Sequence, residues 1–169
     1  MSKQPATPSE MADQLAARFP PPLTVALLEE YGLEQVAPKA PELTRELLAL
    51  CLYWVTTALE AHYPGIGDIL VLPEVRCRLR ERWTRVYNLA ESEWQCFHVE
   101  LAARFDDYNR VTREGGTAIA VSSVAAAYLE SNWVVRSEEQ PNLLSLIVDH
   151  IAVDAIGDVF EDYDLVGRS

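Results

Sequence analysis

Apolar residues recur every three or four positions along most of the chain, the spacing that places them on one face of an α-helix. The pattern is strongest in residues 41–62, where one face carries Leu43, Leu47, Leu50, Trp54 and Ala58. Further apolar residues between these positions make the segment apolar nearly all round, so we expect a central, buried helix. Because proline suits the first turn of a helix and interrupts its interior, this helix should begin at Pro41 and end near His62, before Pro64.

The same spacing predicts further helices on both sides of this segment. They cover residues 9–19, 23–31, 73–90, 93–114, 117–135 and 141–163. Gly32 and the pair Gly115-Gly116 end two of them, since glycine commonly terminates helices. Ser92 is a candidate N-cap for the helix over residues 93–114 and would separate it from the helix over residues 73–90. The alternative is a single long helix through that position.

Residues 117–135 allow two interpretations. The segment 117–121 alternates weakly, as a strand does, whereas the alanine-rich segment 125–129 favours a helix. Ala118, Ser122 and Ala125 would share one helical face of small side chains, which allows a neighbouring helix to approach closely. We therefore predict a helix here.

These segments predict an all-α fold, a single-domain bundle of six or seven helices in an orthogonal or up-down arrangement. The chain shows no internal repeat, no long linker and no run of strands that could build a sheet. Residues 1–8 are polar and contain two prolines, so we expect a flexible N-terminus there and one helical domain over residues 9–166.

The composition fits this fold and favours a cytoplasmic protein. Of the 169 residues, 49% are hydrophobic and 24% are charged, the balance of an ordinary globular domain. The first residues lack the apolar segment of a secretory signal, and the longest apolar run, residues 47–55, is too short to span a bilayer. Cys51, Cys77 and Cys96 show no paired spacing, so we expect free thiols in a reducing compartment.

The chain is strongly acidic, with a net charge of −12 and a pI near 4.6. Binding to nucleic acid or to an anionic membrane surface requires a positive surface, so we expect neither as a partner. An acidic protein is attracted instead to basic partners.

Basic residues are concentrated in one predicted helix. Within residues 76–85 lie Arg76, Arg78, Arg80, Arg82 and Arg85, together with Trp83 and a single acid. Guanidinium groups bind carboxylates and phosphates in a bidentate manner, so this segment is a candidate site for an acidic partner, with Trp83 as an aromatic anchor. The alternatives are a solvated face and a face paired with the protein's own acids.

An acidic stripe is predicted on the last helix. His150, Asp154, Asp158 and Asp162 are spaced four apart, so they would share a helical face on which the like charges repel. A basic partner, the arginine segment or solvent would offset this repulsion. A divalent metal held by His150, Asp154 and Asp158 is a further alternative, although the carboxylate–histidine pattern of ferritin-like sites is missing.

No catalytic motif stands out in the sequence. The metalloprotease, serine hydrolase, phosphate-loop and dinucleotide-binding signatures are absent, and nothing predicts a cofactor. We therefore expect a non-enzymatic protein-interaction module, such as an adaptor, an inhibitor or immunity protein, or a dedicated chaperone, that binds another protein through charged helical faces. Pairing of the arginine and acidic faces across a two-fold axis would give a homodimer. The alternative function is a small helical enzyme or metal–carboxylate protein.

Overall fold

A computed structural model of the protein describes residues 3–166. In that range the chain forms seven α-helices of nine residues or more, two shorter α-helices and two strands of three residues each. The prediction of an all-α fold with six or seven helices is therefore confirmed. The elements are β1 (Gln4–Ala6), α1 (Pro8–Ala16), α2 (Val25–Glu30), α3 (Ala40–His62), α4 (Gly67–Leu70), α5 (Leu72–Trp83), α6 (Glu93–Arg113), α7 (Ala118–Ser131), α8 (Gln140–His150), α9 (Val153–Asp162) and β2 (Tyr163–Leu165). Two 3-10 helices, Glu34–Lys39 and Ser137–Glu139, precede α3 and α8.

Helix α3 lies at the centre of the fold, as its nearly continuous apolar sequence predicts. It is 23 residues long, and Pro41 lies in its first turn. It packs against α4, α6, α7, α9 and the 3-10 helix Glu34–Lys39. Although α3 is the longest helix, no helix within residues 3–166 is both long enough and apolar enough to cross a membrane.

Threonine side chains cap the N-termini of three of the helices. Thr7 and Glu10 form a capping box at α1, in which each side chain bonds the other residue's backbone N–H. Thr24 caps α2, and Thr117 caps α7 by accepting a hydrogen bond from the Ala120 N–H at 3.3 Å. The ambiguous segment after Thr117 is thus a helix, as predicted, and not a strand.

The helix predicted over residues 73–90 ends early, at Trp83. The indole N–H of Trp83 donates to the Ala90 carbonyl at 2.9 Å, which fixes a turn before the next helix. Two helices therefore form here, as predicted from Ser92. The Ser92 side chain makes no cap bond, however; the Glu93 carboxylate accepts a hydrogen bond from the Ala90 N–H at 3.1 Å instead.

The prediction of one helix over residues 141–163 is wrong, because the chain forms α8 and α9 with a break at Ile151 and Ala152. Ile151 has an extended backbone with ψ of 91°, and its side chain is buried. The break redirects the chain so that α9 packs against α1 and α3, while α8 packs against α7. Neither proline nor glycine marks the break, so the sequence pattern does not reveal it.

Two short strands join the two ends of the described chain. Strands β1 and β2 pair in parallel, with Ala6 opposite Leu165, and both side chains are buried. The Tyr63 hydroxyl supports the pair, since it donates to Asp164 at 3.3 Å and accepts the Leu165 N–H at 3.1 Å. Part of the segment 1–8, expected to be flexible, is thus held by backbone pairing and burial; its first two residues lie outside the described range.

Two glycines should respond in opposite ways to substitution by alanine. A Cβ at Gly116 would lie 2.8 Å from the Val111 carbonyl oxygen, so Gly116→Ala is expected to lower the free energy of unfolding by about 1–3 kcal/mol. Gly157, inside α9, has open space around it, and alanine is the better helix former, so Gly157→Ala should raise that free energy by up to about 1 kcal/mol. Urea unfolding measures both changes, and shifts of the same sign would contradict this packing.

Candidate functional site

Most of the α5 arginines contact other parts of this chain. Arg78 donates to Asp13 at 2.6 Å and to Ser9 at 2.7 Å, both in α1. Arg82 donates to the Ala16 carbonyl at 2.7 Å, also in α1. These bonds hold α1 against α5, so the two arginines already have partners within the protein.

Arg80 is also paired, and Trp83 is buried. Arg80 bonds Glu91 and lies over the ring of Trp94, 5.1 Å from its centre. Trp83 is fully buried and packs edge-on against Trp94 at 4.9 Å, so it is not the exposed anchor suggested by its position among arginines. Two arginines of the segment are exposed and make no ion pair within residues 3–166, namely Arg76 and Arg85. The predicted arginine face is thus divided between internal contacts and solvent.

The acids of the predicted stripe are exposed, but the stripe is shorter than predicted. Asp154, Asp158 and Asp162 lie on α9 and make no ion pair with any described residue. His150 belongs to α8, before the break, and its ring packs edge-on against Tyr31 at 5.7 Å. In the described part of the chain, no group of three His, Cys, Asp or Glu side chains is placed to hold a metal ion.

An apolar groove of about 370 Å³ lies where α7, α8 and α9 meet. Its walls are mainly aliphatic, and two of the side chains that line it remain open to solvent, Ile119 at 58% and Val148 at 43%. Asp154 lies at the same groove and is its one charged lining residue. Exposed apolar surface rimmed by polar groups marks interaction sites.

The solvent-facing side of α7 carries no charge along most of its length. Its exposed residues are Ile119, Ser123, Ala127 and Ser131, spaced four apart. Glu130, near the C-terminal end, is the single charged residue of this helix. Because 24% of the chain is charged, an exposed helical surface without charge is unusual here, and depletion of charge is typical of the centre of protein–protein interfaces.

Trp133 follows α7 and is the most exposed large apolar side chain of residues 3–166, at 87%. Its backbone is left-handed, with φ of 60°, and the N–H groups of Trp133 and Val134 donate to the last carbonyls of the helix. Helices usually place glycine at this position, because other residues lose about 1–2 kcal/mol in that conformation. We define the α7 face as Ile119, Ser123, Ala127, Trp133 and Val148.

A buried cluster of polar side chains links α3 to α6. The Arg104 guanidinium donates to Glu46 at 2.9–3.1 Å from Nε and Nη2, and to Asp107 at 2.6 Å from Nη1. The Tyr108 hydroxyl also donates to Glu46, and the ring of Tyr128 lies 3.7 Å from the guanidinium carbon. Glu46, Arg104 and Tyr108 are buried, so these bonds replace the ones that water would make.

Burial and hydrogen bonding act in opposite directions on this cluster. Burial raises the pKa of the Glu46 carboxyl, whereas the bonds from Arg104 and Tyr108 favour its charged form. Burial also raises the pKa of the Tyr108 hydroxyl well above its usual value, and the nearby Glu46 adds to this effect. Tyr108 therefore keeps the proton that it donates to Glu46.

Sequence reasoning missed this cluster. Glu46 lies near the start of α3, where the helix dipole alone would account for an acid, but the structure pairs it with Arg104, 58 positions away. A signal was present, since Glu46 and Arg104 each lie between apolar residues on the buried face of a helix. Buried charges are usually paired, so the sequence indicates that Glu46 and Arg104 have partners but not which residues those partners are.

The three cysteines differ in accessibility, since Cys51 is buried while Cys77 and Cys96 are exposed. Burial raises the pKa of the Cys51 thiol to about 12, so it is not a reactive nucleophile at neutral pH. A thiol reagent at pH 8 is therefore expected to modify the two exposed cysteines of the folded protein and Cys51 only after unfolding. Mass spectrometry of the labelled protein counts the modifications, and rapid labelling of Cys51 without denaturant would contradict its burial.

Comparison with known proteins does not place the chain in a family. No protein-family model, no curated protein and no solved structure matches it. The chain is an all-α protein that has an uncharged, exposed helical face and, separate from it, a buried ion-pair cluster that lines a cavity between α3, α6 and α7.

Proposed function

We propose that the protein is a non-enzymatic protein-interaction module that binds a basic amphipathic helix of another protein on the α7 face. The observation that carries the proposal is the exposed, uncharged surface of α7, with Ile119 and the following Trp133 as its large apolar side chains, beside the unpaired carboxylates of α9. A helix that lay there would be held by its apolar residues on one side and by its basic residues on the other.

The dimensions of the α7 face suit a helix. The groove at Ile119 and Val148 accepts apolar side chains at one end, and Trp133 supplies a large apolar contact at the other. Ser123 and Ala127 between them are short, so the backbone of a partner could approach closely. Helix α7 has 14 residues, which corresponds to about 21 Å, so a partner helix of about four turns could contact both ends.

The conformation of Trp133 supports a binding role. A tryptophan that is 87% exposed contributes little to folding, and its positive φ makes it less favourable than glycine at that position. Strain that does not benefit the fold is typical of functional sites. Tryptophan, with tyrosine and arginine, is also enriched among the residues that dominate binding energies.

The acids of α9 set the charge of the proposed partner. Asp154 lines the groove, and Asp158 follows one turn later; neither makes an ion pair with a described residue. Lysine or arginine at the edge of a bound helix would complement these carboxylates. The net charge of −12 would also speed the approach of such a partner.

A second copy of this chain is a poorer occupant than a basic helix. Pairing of two α7 faces would bring together two molecules that each carry a net charge of −12, which disfavours association. Of the arginines that could offset this repulsion, Arg78, Arg80 and Arg82 are bound to α1 and to Glu91, which leaves Arg76 and Arg85. The homodimer expected from segregated charged faces is therefore not part of the proposal.

A cytoplasmic location is also part of the proposal. The three cysteines are free, and two of them are exposed. Exposed thiols persist most readily in a reducing compartment, which supports this location.

A synthetic peptide tests the proposed docking surface. The probe matches the 14 residues of α7 in length and has leucines on one helical face and lysines on the other. The control peptide has the same composition in scrambled order. We expect titration calorimetry to show binding of the amphipathic peptide and about tenfold weaker binding of the scrambled one, because only the first presents a continuous apolar face.

Acid-neutralised variants identify where the peptide binds. Asp154→Asn with Asp158→Asn is expected to weaken peptide binding by about threefold to tenfold and to reduce its dependence on salt. The matched control is Asp106→Asn with Glu114→Gln, two exposed acids of α6 and its end that lie outside the groove. Equal affinities of the two double variants, or equal binding of both peptides, would remove the α7 face from the proposal.

A further inference from the structure

A second site, separate from the α7 face, lies in a cavity of about 250 Å³ between α3, α6 and α7. Three basic and three acidic side chains line it, namely Lys39, Arg45, Arg104, Glu42, Glu46 and Glu100. The wall therefore carries charges of both signs, and two of its basic groups have a further acidic partner outside the lining, since Arg45 pairs with Glu93 and Arg104 with Asp107. We infer that this cavity binds a small zwitterion with an apolar side chain, of the size of an amino acid.

Two acids at the mouth of the cavity, Glu42 and Glu100, are loosely paired, whereas Arg45 also makes a close ion pair with Glu93. Lys39 and Glu42 are 3.7 Å apart, and Arg45 Nε is 3.6 Å from Glu100, both longer than a normal hydrogen bond. Glu42 and Glu100 are also partly exposed. Such pairs contribute little to stability, so a ligand ammonium group could take up these carboxylates at small cost.

The inner wall offers hydrogen-bond donors to a carboxylate. Arg104 has five N–H groups, of which its bonds to Glu46 and Asp107 occupy three. The Tyr108 hydroxyl also accepts from the guanidinium, which leaves one N–H without an acceptor among residues 3–166, although the side chain is only 5% exposed. Buried donors in proteins are nearly always satisfied, so Arg104 retains the capacity to bind an additional acceptor. A ligand carboxylate would fill it.

Part of the wall is apolar and limits the size of the ligand. Phe97, Leu101, Leu129 and Val134 line the cavity, and all four are buried. Pockets for drug-sized ligands have volumes of about 300–1,000 Å³, so this one suits a smaller molecule. An aliphatic or aromatic side chain of the ligand would pack on this apolar part, while the ligand's charged groups would contact the charged part of the wall.

The presence of both signs of charge on the wall favours a zwitterion over a simple acid or amine. A ligand with a single charge would pair with wall residues of the opposite sign. The wall residues that those residues pair with in the free protein would then lose a partner. Uncompensated charge at a partly buried site is costly, so such a ligand would bind more weakly. A free amino acid carries both charges and an apolar side chain on one small molecule.

Blocked derivatives test this chemical class directly. Titration calorimetry would compare the standard L-amino acids with N-acetyl-leucine, which lacks the ammonium group, and with leucine amide, which lacks the carboxylate. We expect one or more of the apolar amino acids to bind, and each blocked leucine to bind about tenfold or more weakly than leucine itself. Failure of every amino acid to bind, or equal binding of the blocked derivatives, would overturn the inference.

Two variants place the ligand in this cavity. Glu42→Gln with Glu100→Gln changes two partly exposed acids, so the fold is retained, and amino acid affinity should fall by about tenfold because the ammonium group loses its partners. Val134→Phe narrows the cavity and should abolish binding, with circular dichroism as the check on folding. The control, Asp106→Asn with Glu114→Gln, should bind as the unmodified protein does. Unchanged affinity of the Glu42 and Glu100 variant would overturn the assignment.

Discussion

Arg104→Met is expected to lower the free energy of unfolding by about 3–5 kcal/mol. The substitution removes the positive charge that faces Glu46 and leaves this carboxylate buried, with the Tyr108 hydroxyl as its remaining partner in the cluster. Domains of this size are stable by about 5–15 kcal/mol in total. The loss should therefore appear as a large decrease in the urea concentration at the unfolding midpoint.

The control for this prediction removes the whole cluster. In the triple variant Glu46→Leu, Arg104→Met, Tyr108→Phe, no buried charge lacks a partner, and apolar replacements of buried ion pairs are often neutral in stability. We therefore expect the triple variant to be more stable than Arg104→Met. Urea unfolding followed by circular dichroism compares them. A loss below about 1 kcal/mol in the single variant is the size seen for exposed pairs and would contradict the burial of Glu46.

Trp133→Gly is expected to weaken binding of the lysine–leucine peptide by about 30-fold or more while leaving the protein as stable as before, or more stable by up to about 1 kcal/mol. The affinity falls because the exposed indole is the largest apolar contact of the α7 face. The free energy of unfolding is retained, since glycine adopts the backbone with φ of 60° without the steric cost that tryptophan has there. Titration calorimetry and urea unfolding measure the two effects separately.

The control for Trp133 is an exposed apolar residue elsewhere. Val99 lies on α6 and is 76% exposed, and Val99→Ala should leave peptide affinity within about twofold because this residue is not part of the α7 face. If Trp133→Gly destabilises the protein, Trp133 has a structural role that its exposure does not reveal. If Val99→Ala weakens peptide binding equally, the peptide does not bind on α7.

Helix boundaries could be predicted from the sequence wherever the backbone preference of a single residue, such as proline or glycine, starts or ends the helix. Pro41 lies in the first turn of α3, and Gly32, with φ of 67°, follows the end of α2. The face of small residues predicted for α7 is also present, since Ser122 and Ala125 are buried and α7 packs against α8. Proline, glycine and helical periodicity act over a few neighbouring residues, so the sequence is sufficient for them.

Boundaries that depend on distant contacts could not be predicted in the same way. Helix α5 ends at Trp83, whose indole bonds the Ala90 carbonyl, and α8 ends where Ile151 enters the core. Both residues continue a helical apolar pattern, so the pattern favours helix where tertiary packing requires a turn. The pairing of β1 with β2 likewise joins segments that are far apart in the chain.

In the candidate sites, too, local features could be predicted from the sequence, whereas contacts between distant segments could not. The arginines of α5 are visible in the sequence as a charged cluster, but their use depends on α1, because Asp13 lies 65 positions from Arg78. Glu46 and Arg104 become a pair only when α3 packs against α6. The α7 face is different, since an uncharged stretch followed by Trp133 is evident in the sequence; its exposure is evident only in the structure.

Site-specific photocrosslinking in the cells that make the protein is the most direct test of the docking surface. A photoreactive amino acid would replace Ile119 or Ala127 on the α7 face, or Val99 on α6 as the control. We predict crosslinks at the first two positions and none at the third, with mass spectrometry locating the attached segment in a basic amphipathic helix of another protein. Equal crosslinking at Val99, attachment to an acidic or unstructured segment, or attachment to a second copy of this chain would contradict the account.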